Sequence, residues 1–124
     1  MTWDEVVRIA AEWPEVERAL SYGEPSLKVR GRLLARQRAA DDSLVLLGVP
    51  PEERDHLALM FPGAFFHEPH YEGYDIVLAR LKNCPPDVVA RILERHWRAL
   101  ATKRAVRTQD AARRDGAAAP PARG

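Results

Sequence analysis

Ser26-Leu27-Lys28-Val29-Arg30-Gly31-Arg32-Leu33-Leu34-Ala35-Arg36-Gln37-Arg38 is the stretch in which the apolar period of the chain becomes two. Leu27 and Val29 point one way and Lys28 and Arg30 the other, and Gly31 turns the chain into a return strand from Arg32 to Arg38. Strict alternation on the return places Leu33, Ala35 and Gln37 on one face and Leu34, Arg36 and Arg38 on the other. The stretch is therefore a β-hairpin, and it sets an antiparallel sheet at the centre of the fold. It also gathers five basic side chains, Lys28, Arg30, Arg32, Arg36 and Arg38, within eleven residues. Such a run suits a phosphate-facing surface, although a charged, solvated sheet face has the same pattern.

On the C-terminal side, Asp41 and Asp42 make a turn, and Ser43 to Val49 is a nearly continuous apolar run, hence an interior strand. On the N-terminal side lies a helix. Thr2 followed by Glu5 forms a capping box, Trp3, Val6, Val7, Ala10 and Trp13 recur at helical spacing, and Pro14 closes the run. Residues 14–25 between helix and hairpin lack any such period and read as a connection, with a turn at Gly23 and Pro25.

Beyond the third strand, Pro50 and Pro51 open a second helix whose apolar side is Leu57, Met60 and Phe61, with Glu52, Glu53 and Asp55 at the positive end of its dipole. Ile76 to Leu81 is a further strand, apolar on both faces save for Arg80. Pro85 and Pro86 begin a last helix with Val89, Ile92, Leu93, His96, Trp97 and Leu100 inward and Arg91, Arg95, Arg98 and Arg104 largely outward. His96 on that stripe is expected to be a core histidine with a satisfied ring nitrogen. From Thr108 no bulky apolar residue remains, so residues 108–124 are expected to form a disordered tail beside one domain spanning residues 1–107.

A length of 124 residues with 46% hydrophobic content supports a single core without disulfides or metal. The net charge of +1 excludes a wholly acidic or basic chain, but its distribution is uneven: residues 26–49 carry five basic and two acidic groups, and residues 85–124 nine and four. The lone Cys84 has no disulfide partner, Asp4 and Glu5 stand where a signal peptide carries positive charge, and no apolar run reaches the roughly 18 residues needed to span a bilayer. A cytoplasmic protein without membrane association is expected.

Adaptable chemistry is densest at Phe65-Phe66-His67-Glu68-Pro69-His70-Tyr71-Glu72-Gly73-Tyr74. His67 and His70 form H-x-x-H, but Pro69 and Gly73 deny them the one-face helical geometry of a zinc site, and no third ligand is spaced to join them. Cys84 has no identifiable base. Glu68, Glu72 and Asp75 are ordinary loop carboxylates. The residue types suit recognition as well as catalysis, but no spacing completes a reactive site, so no catalytic set, no metal and no cofactor is expected.

Taken together, Tyr22-Gly23-Glu24-Pro25-Ser26-Leu27-Lys28-Val29-Arg30-Gly31, the aromatic stretch from Phe65 to Tyr74, Val77-Leu78-Ala79-Arg80-Leu81, and Trp97 through Lys103-Arg104 resemble the MmcQ/YjbR family over roughly residues 3–105. The resemblance implies an α+β fold, a single domain ordered helix, three strands, helix, two strands, helix, with an antiparallel sheet packed on helices. It also implies the DNA-binding label that such proteins carry. Leu27 stands where the family usually has Phe, and Ala101-Thr102-Lys103 where Ala-Pro-Lys is typical, which implies a last helix running unbroken through Thr102.

Two functions follow as expectations. The first is non-catalytic nucleic-acid binding, DNA foremost, in which Lys28, Arg30, Arg32, Arg36, Arg38, Arg91 and Arg98 contact phosphates beside the aromatic loop. The second is a small-ligand or protein-interaction module whose pocket is floored by the sheet and furnished by Tyr22, His67, His70, Tyr71 and Tyr74.

Overall fold

The hairpin seeds a sheet of six strands, every neighbouring pair antiparallel, in the computed structural model, which describes residues 1–118. The strands are β1 (Val16–Ser21), β2 (Glu24–Val29), β3 (Arg32–Arg38), β4 (Ser43–Leu47), β5 (Phe65–Phe66) and β6 (Ile76–Arg80), lying side by side in the order β1-β2-β3-β4-β6-β5. Four helices complete an α+β domain: α1 (Trp3–Ala10), α2 (Pro51–Met60), α3 (Pro86–Leu100) and α4 (Lys103–Ala118). No helix among the described residues is long and apolar enough to cross a membrane.

The turns Tyr22–Gly23 and Arg30–Gly31 both hold two successive left-handed residues, at φ of 54° and 77° and of 54° and 81°. Two-residue turns of this kind match the right-handed twist of the flanking strands, which is why β1, β2 and β3 form a tight meander.

A register shift between β2 and β3 decides which side chains face where. Leu27 pairs with Ala35 but Lys28 pairs with Leu33, so one extra residue, Leu34, is accommodated on β3. Strict alternation fails there. Leu34 and Ala35 both join the core, whereas Leu33 shares the other face with Arg36. The core face runs through Leu27, Val29, Ala35, Leu44, Leu46, Val77 and Ala79. All four helices contribute to the same cluster, with Val6 and Ala10 from α1, Leu57 from α2, Val89, Leu93 and Trp97 from α3, and Ala105 from α4. Trp97 is fully buried, donates its indole N–H to the Pro14 carbonyl at 2.9 Å and lies 5.7 Å from the Trp13 ring.

The opposite face carries Ser26, Lys28, Leu33, Arg36, Val45, Phe66, Ile76 and Leu78, as the cross-strand pairs dictate. What lies over this face is the loop of residues 67–75, tied down where Arg36 meets Tyr71 and Arg38 meets Glu68.

Several expectations need correction. Residues 14–25 are not a connection: they hold β1 and the start of β2. β1 is an edge strand whose Glu17, Arg18 and Leu20 are exposed, so it has no apolar alternation to announce it. Met60 does not belong to an apolar side, being 57% exposed, and α2 buries Leu57 alone.

The last helix does not run through Thr102. α3 ends at Leu100, Ala101 is extended, and Thr102 caps α4 by accepting the Ala105 N–H. Thr102 itself donates its N–H and its hydroxyl to the two carboxylate oxygens of Glu15, which fixes the break. Residues 108–118, expected to be disordered, are helical, whereas residues 119–124 of the expected tail lie outside the described residues. α4 docks because Ala105 is buried and because Arg98 and Glu94 on α3 pair with Asp110 and Arg113.

Candidate functional site

All three tyrosines of the chain, Tyr22, Tyr71 and Tyr74, line one half-open cavity of about 480 Å³ on the helix-free face of the sheet. Leu33, Val45 and Ile76, from β3, β4 and β6, line it with them, as do Arg36 and His70. The local chain explains the convergence. The β1–β2 turn brings Tyr22 to the sheet edge, and Pro69 starts a turn of 3-10 helix that presents His70 and Tyr71 over the strands.

Arg36 is the electrostatic centre. One terminal nitrogen donates to Glu24 at 2.9 Å and the other to the Tyr71 hydroxyl at 3.0 Å, while the guanidinium lies 5.4 Å from the centroid of the Tyr22 ring. Glu24 is held in turn by the Ala39 N–H, which donates to its second oxygen at 2.9 Å. Because the Tyr71 oxygen accepts from Arg36, its own proton is free to donate into the cavity. His70 packs edge-on to Tyr71 at 5.0 Å. Tyr22 is 92% exposed and Tyr74 63%, which sets large aromatic surface at the mouth. Among the described residues, no carboxylate lines the cavity.

Nearby charges are spent on structure. Arg38 donates to both oxygens of Glu68, at 2.8 Å each, and to both oxygens of Asp41. Those hydrogen bonds raise the affinity of Arg38 for its proton and hold the Asp41 and Glu68 carboxyls below their ordinary range. Arg98 is occupied in the same way by Asp110 and Glu94 on the other side of the sheet. Arg80 stacks over Phe66, 4.3 Å from its ring centroid.

The expected site residues thus separate into groups. Tyr22, His70, Tyr71 and Tyr74 come together around Arg36. His67 does not line the cavity and instead pairs through Nε2 with Glu72 at 2.9 Å, an interaction that lowers the Glu72 pKa. Lys28, Arg30, Arg32 and Arg91 make no ion pair within 4 Å among the described residues, although Glu17 stands directly across from Lys28 on β1 and the charge of Arg30 contributes to lowering the Glu15 pKa. Arg36, Arg38 and Arg98 do make ion pairs, and Arg91 and Arg98 sit on α3, away from the face that holds Arg36. The seven basic residues therefore do not form one surface.

Cys84 is buried, and burial raises its thiol pKa, which disfavours the nucleophilic thiolate. Among the described residues, no cluster of three or more His, Cys, Asp or Glu is arranged to hold a metal ion. Sequence reasoning missed Leu33, Val45 and Ile76 as lining residues and Glu24 as the partner of Arg36. The position of Leu33 depends on the bulge at Leu34, and the role of Glu24 required β2 to begin at Glu24, inside the stretch read as a connection, and so reach Arg36 on β3.

Uncharacterised proteins of Mycobacterium bovis and of two strains of Mycobacterium tuberculosis are similar to this chain, each 28% identical over 119 residues, covering 85% of this chain and 92% of their own length. No family model and no solved structure matches the chain.

Proposed function

We propose that this protein is a non-catalytic binding module of the MmcQ/YjbR type that holds a small ligand in the cavity between the sheet and the His70–Tyr74 loop, in a reducing, cytoplasmic setting. The observation that carries this reading is the convergence of Tyr22 with Tyr71 and Tyr74, far apart in the chain, on one cavity around Arg36. A volume of about 480 Å³ falls within the range of small-molecule sites, and a mainly apolar and aromatic lining with a few convergent polar groups is what such sites need. The buried thiol and the hydrogen-bonding phenols suit holding rather than bond-making.

A screen of neutral and charged aromatic fragments at ~1 mM, read by ligand-detected NMR, tests the reading. Fragments that bind the native protein and lose binding in Tyr22→Ala support it. A library that produces no binder, or only binders indifferent to Tyr22→Ala, refutes it.

A second reading, nucleic-acid contact through the hairpin, is favoured by Lys28, Arg30 and Arg32, which close no ion pair within 4 Å among the described residues. Three such contacts give an affinity for duplex DNA whose log–log dependence on salt has a slope of about 3, since each phosphate contributes about 0.9. Fluorescence anisotropy across a salt series measures it, and no binding at ~50 mM salt removes this reading.

A further inference from the structure

We propose that the ligand of this cavity is a nucleotide unit, with its uncharged base among the tyrosines and its phosphate at Lys28. The inference rests on the pocket reading above and specifies the chemistry of its occupant.

The charge balance at Arg36 argues for a neutral group inside. The guanidinium already faces Glu24 at 2.9 Å, so an acidic ligand placed against it sets a second anion beside the first. What the wall offers instead is flat aromatic surface and hydrogen bonds at its edges. Tyr71 has a free proton to donate, the Tyr22 and Tyr74 hydroxyls both donate and accept, and His70 adds a ring nitrogen. A heteroaromatic ring with carbonyl and ring-nitrogen acceptors matches that set, and stacking on tyrosine is favourable for any base.

The anion is placed by the strand register. Lys28 is the direct cross-strand partner of Leu33, which lines the cavity, so the two side chains stand on the same face about 5 Å apart at Cβ. Among the described residues Lys28 makes no ion pair within 4 Å, its other cross-strand partner being Glu17 on the exposed edge strand β1, while Arg32 pairs with Val29 and so belongs to the opposite face. A neutral aromatic pocket, with an ammonium one step beyond its wall that closes no ion pair within 4 Å, is the layout of a base followed by its phosphate. The same unit occurs in a free mononucleotide and in a base splayed from a single strand.

Isothermal titration of the full chain with uridine, uridine monophosphate, ribose 5-phosphate, benzoate and a short thymidine oligonucleotide tests the assignment. The monophosphate is expected to bind at least about three-fold more tightly than the nucleoside, the scale of one exposed charge pair, while benzoate and ribose phosphate bind weakly or not at all. Lys28→Ala should abolish the advantage of the phosphate and leave nucleoside binding unchanged. Tyr22→Ala, at a side chain too exposed for folding to depend on it, should weaken both ligands.

Tighter binding of the oligonucleotide identifies a single strand as the source. Equal or weaker binding identifies the free nucleotide. The proposal is overturned if benzoate equals or exceeds uridine, if Lys28→Ala leaves the ratio of monophosphate to nucleoside unchanged, or if no nucleotide binds. In the first and last cases, fragments that still depend on Tyr22 would leave the pocket reading standing alone.

Discussion

Arg36 and Tyr71 join the sheet to the loop that covers it, through a guanidinium whose side chain is only 11% exposed. Removing the phenol oxygen leaves one of its N–H groups without a partner, so Tyr71→Phe should cost about 1–2 kcal/mol in a denaturant titration. A change within about 0.5 kcal/mol, as for an ordinary surface position, would show that the hydroxyl bears no structural load. Gly48 is a second sensitive residue. At φ 75°, a Cβ added there would stand 2.8 Å from Nδ1 of His96, a ring held between α3 and the sheet. Gly48→Ala therefore combines left-handed strain with a steric clash and should lower stability by at least about 1 kcal/mol. His96 also has a lowered pKa, chiefly because burial disfavours its charged form. The unfolded chain takes up that proton first, so the contribution is complete above the ordinary value of 6.5 and is lost as the pH falls toward the depressed folded value. The chevron midpoint of the native protein, but not of His96→Phe if that variant folds, should drift downward over this window.

Among the elements, α4 is held by charge more than by apolar burial, and its docking should follow pH accordingly. Hydrogen bonds from Arg113 and Arg98 lower the Glu94 pKa, and the hydrogen bonds from Arg98 lower that of Asp110. Their contributions are fully present above the ordinary carboxyl values, 4.5 and 3.8, and are lost as the pH falls through the depressed folded values. Amide exchange should therefore show α4 protected at neutral pH and released in acid before the sheet opens. Arg98→Ala, which removes the shared partner of Glu94 and Asp110, should speed exchange in α4 by roughly a few-fold at neutral pH. Unchanged exchange would mean that Ala105 and Val106 alone hold the helix. The same dependence on partners explains why α4 was not legible in the sequence: residues 108–118 have no apolar stripe, and their order comes from charges on α3. β1 was hidden for a related reason, since an edge strand with one neighbour and exposed Glu17, Arg18 and Leu20 needs no alternation. β4, β6 and α3 were legible because burial imposes a pattern on both faces of an interior strand and on one stripe of a helix.

For the molecule as a whole, one face of the sheet is covered by helices and the other by a single loop, under which lies the tyrosine-lined cavity. The sequence located this loop by its aromatic and histidine content and named four of the cavity's lining residues, Tyr22, His70, Tyr71 and Tyr74. The partners of the basic residues were not legible, because whether Arg36, Arg38 and Arg98 are free or neutralised depends on Glu24, Glu68 and Asp110, which lie 12, 30 and 12 positions away. Core substitutions should confirm the division between the faces. Leu34→Ala, at the fully buried bulge residue, is expected to cost about 2–5 kcal/mol by calorimetry or denaturant titration, whereas Leu33→Ala should cost less and weaken ligand binding instead. The most direct test of the central claim is a methyl-detected NMR titration of the full chain with uridine monophosphate. Shifts confined to Leu33, Val45 and Ile76, with Leu44, Leu46 and Val77 on the helix-covered face unmoved, are the predicted result. Shifts that leave those three methyls unchanged, or that cluster on α3, would contradict the account.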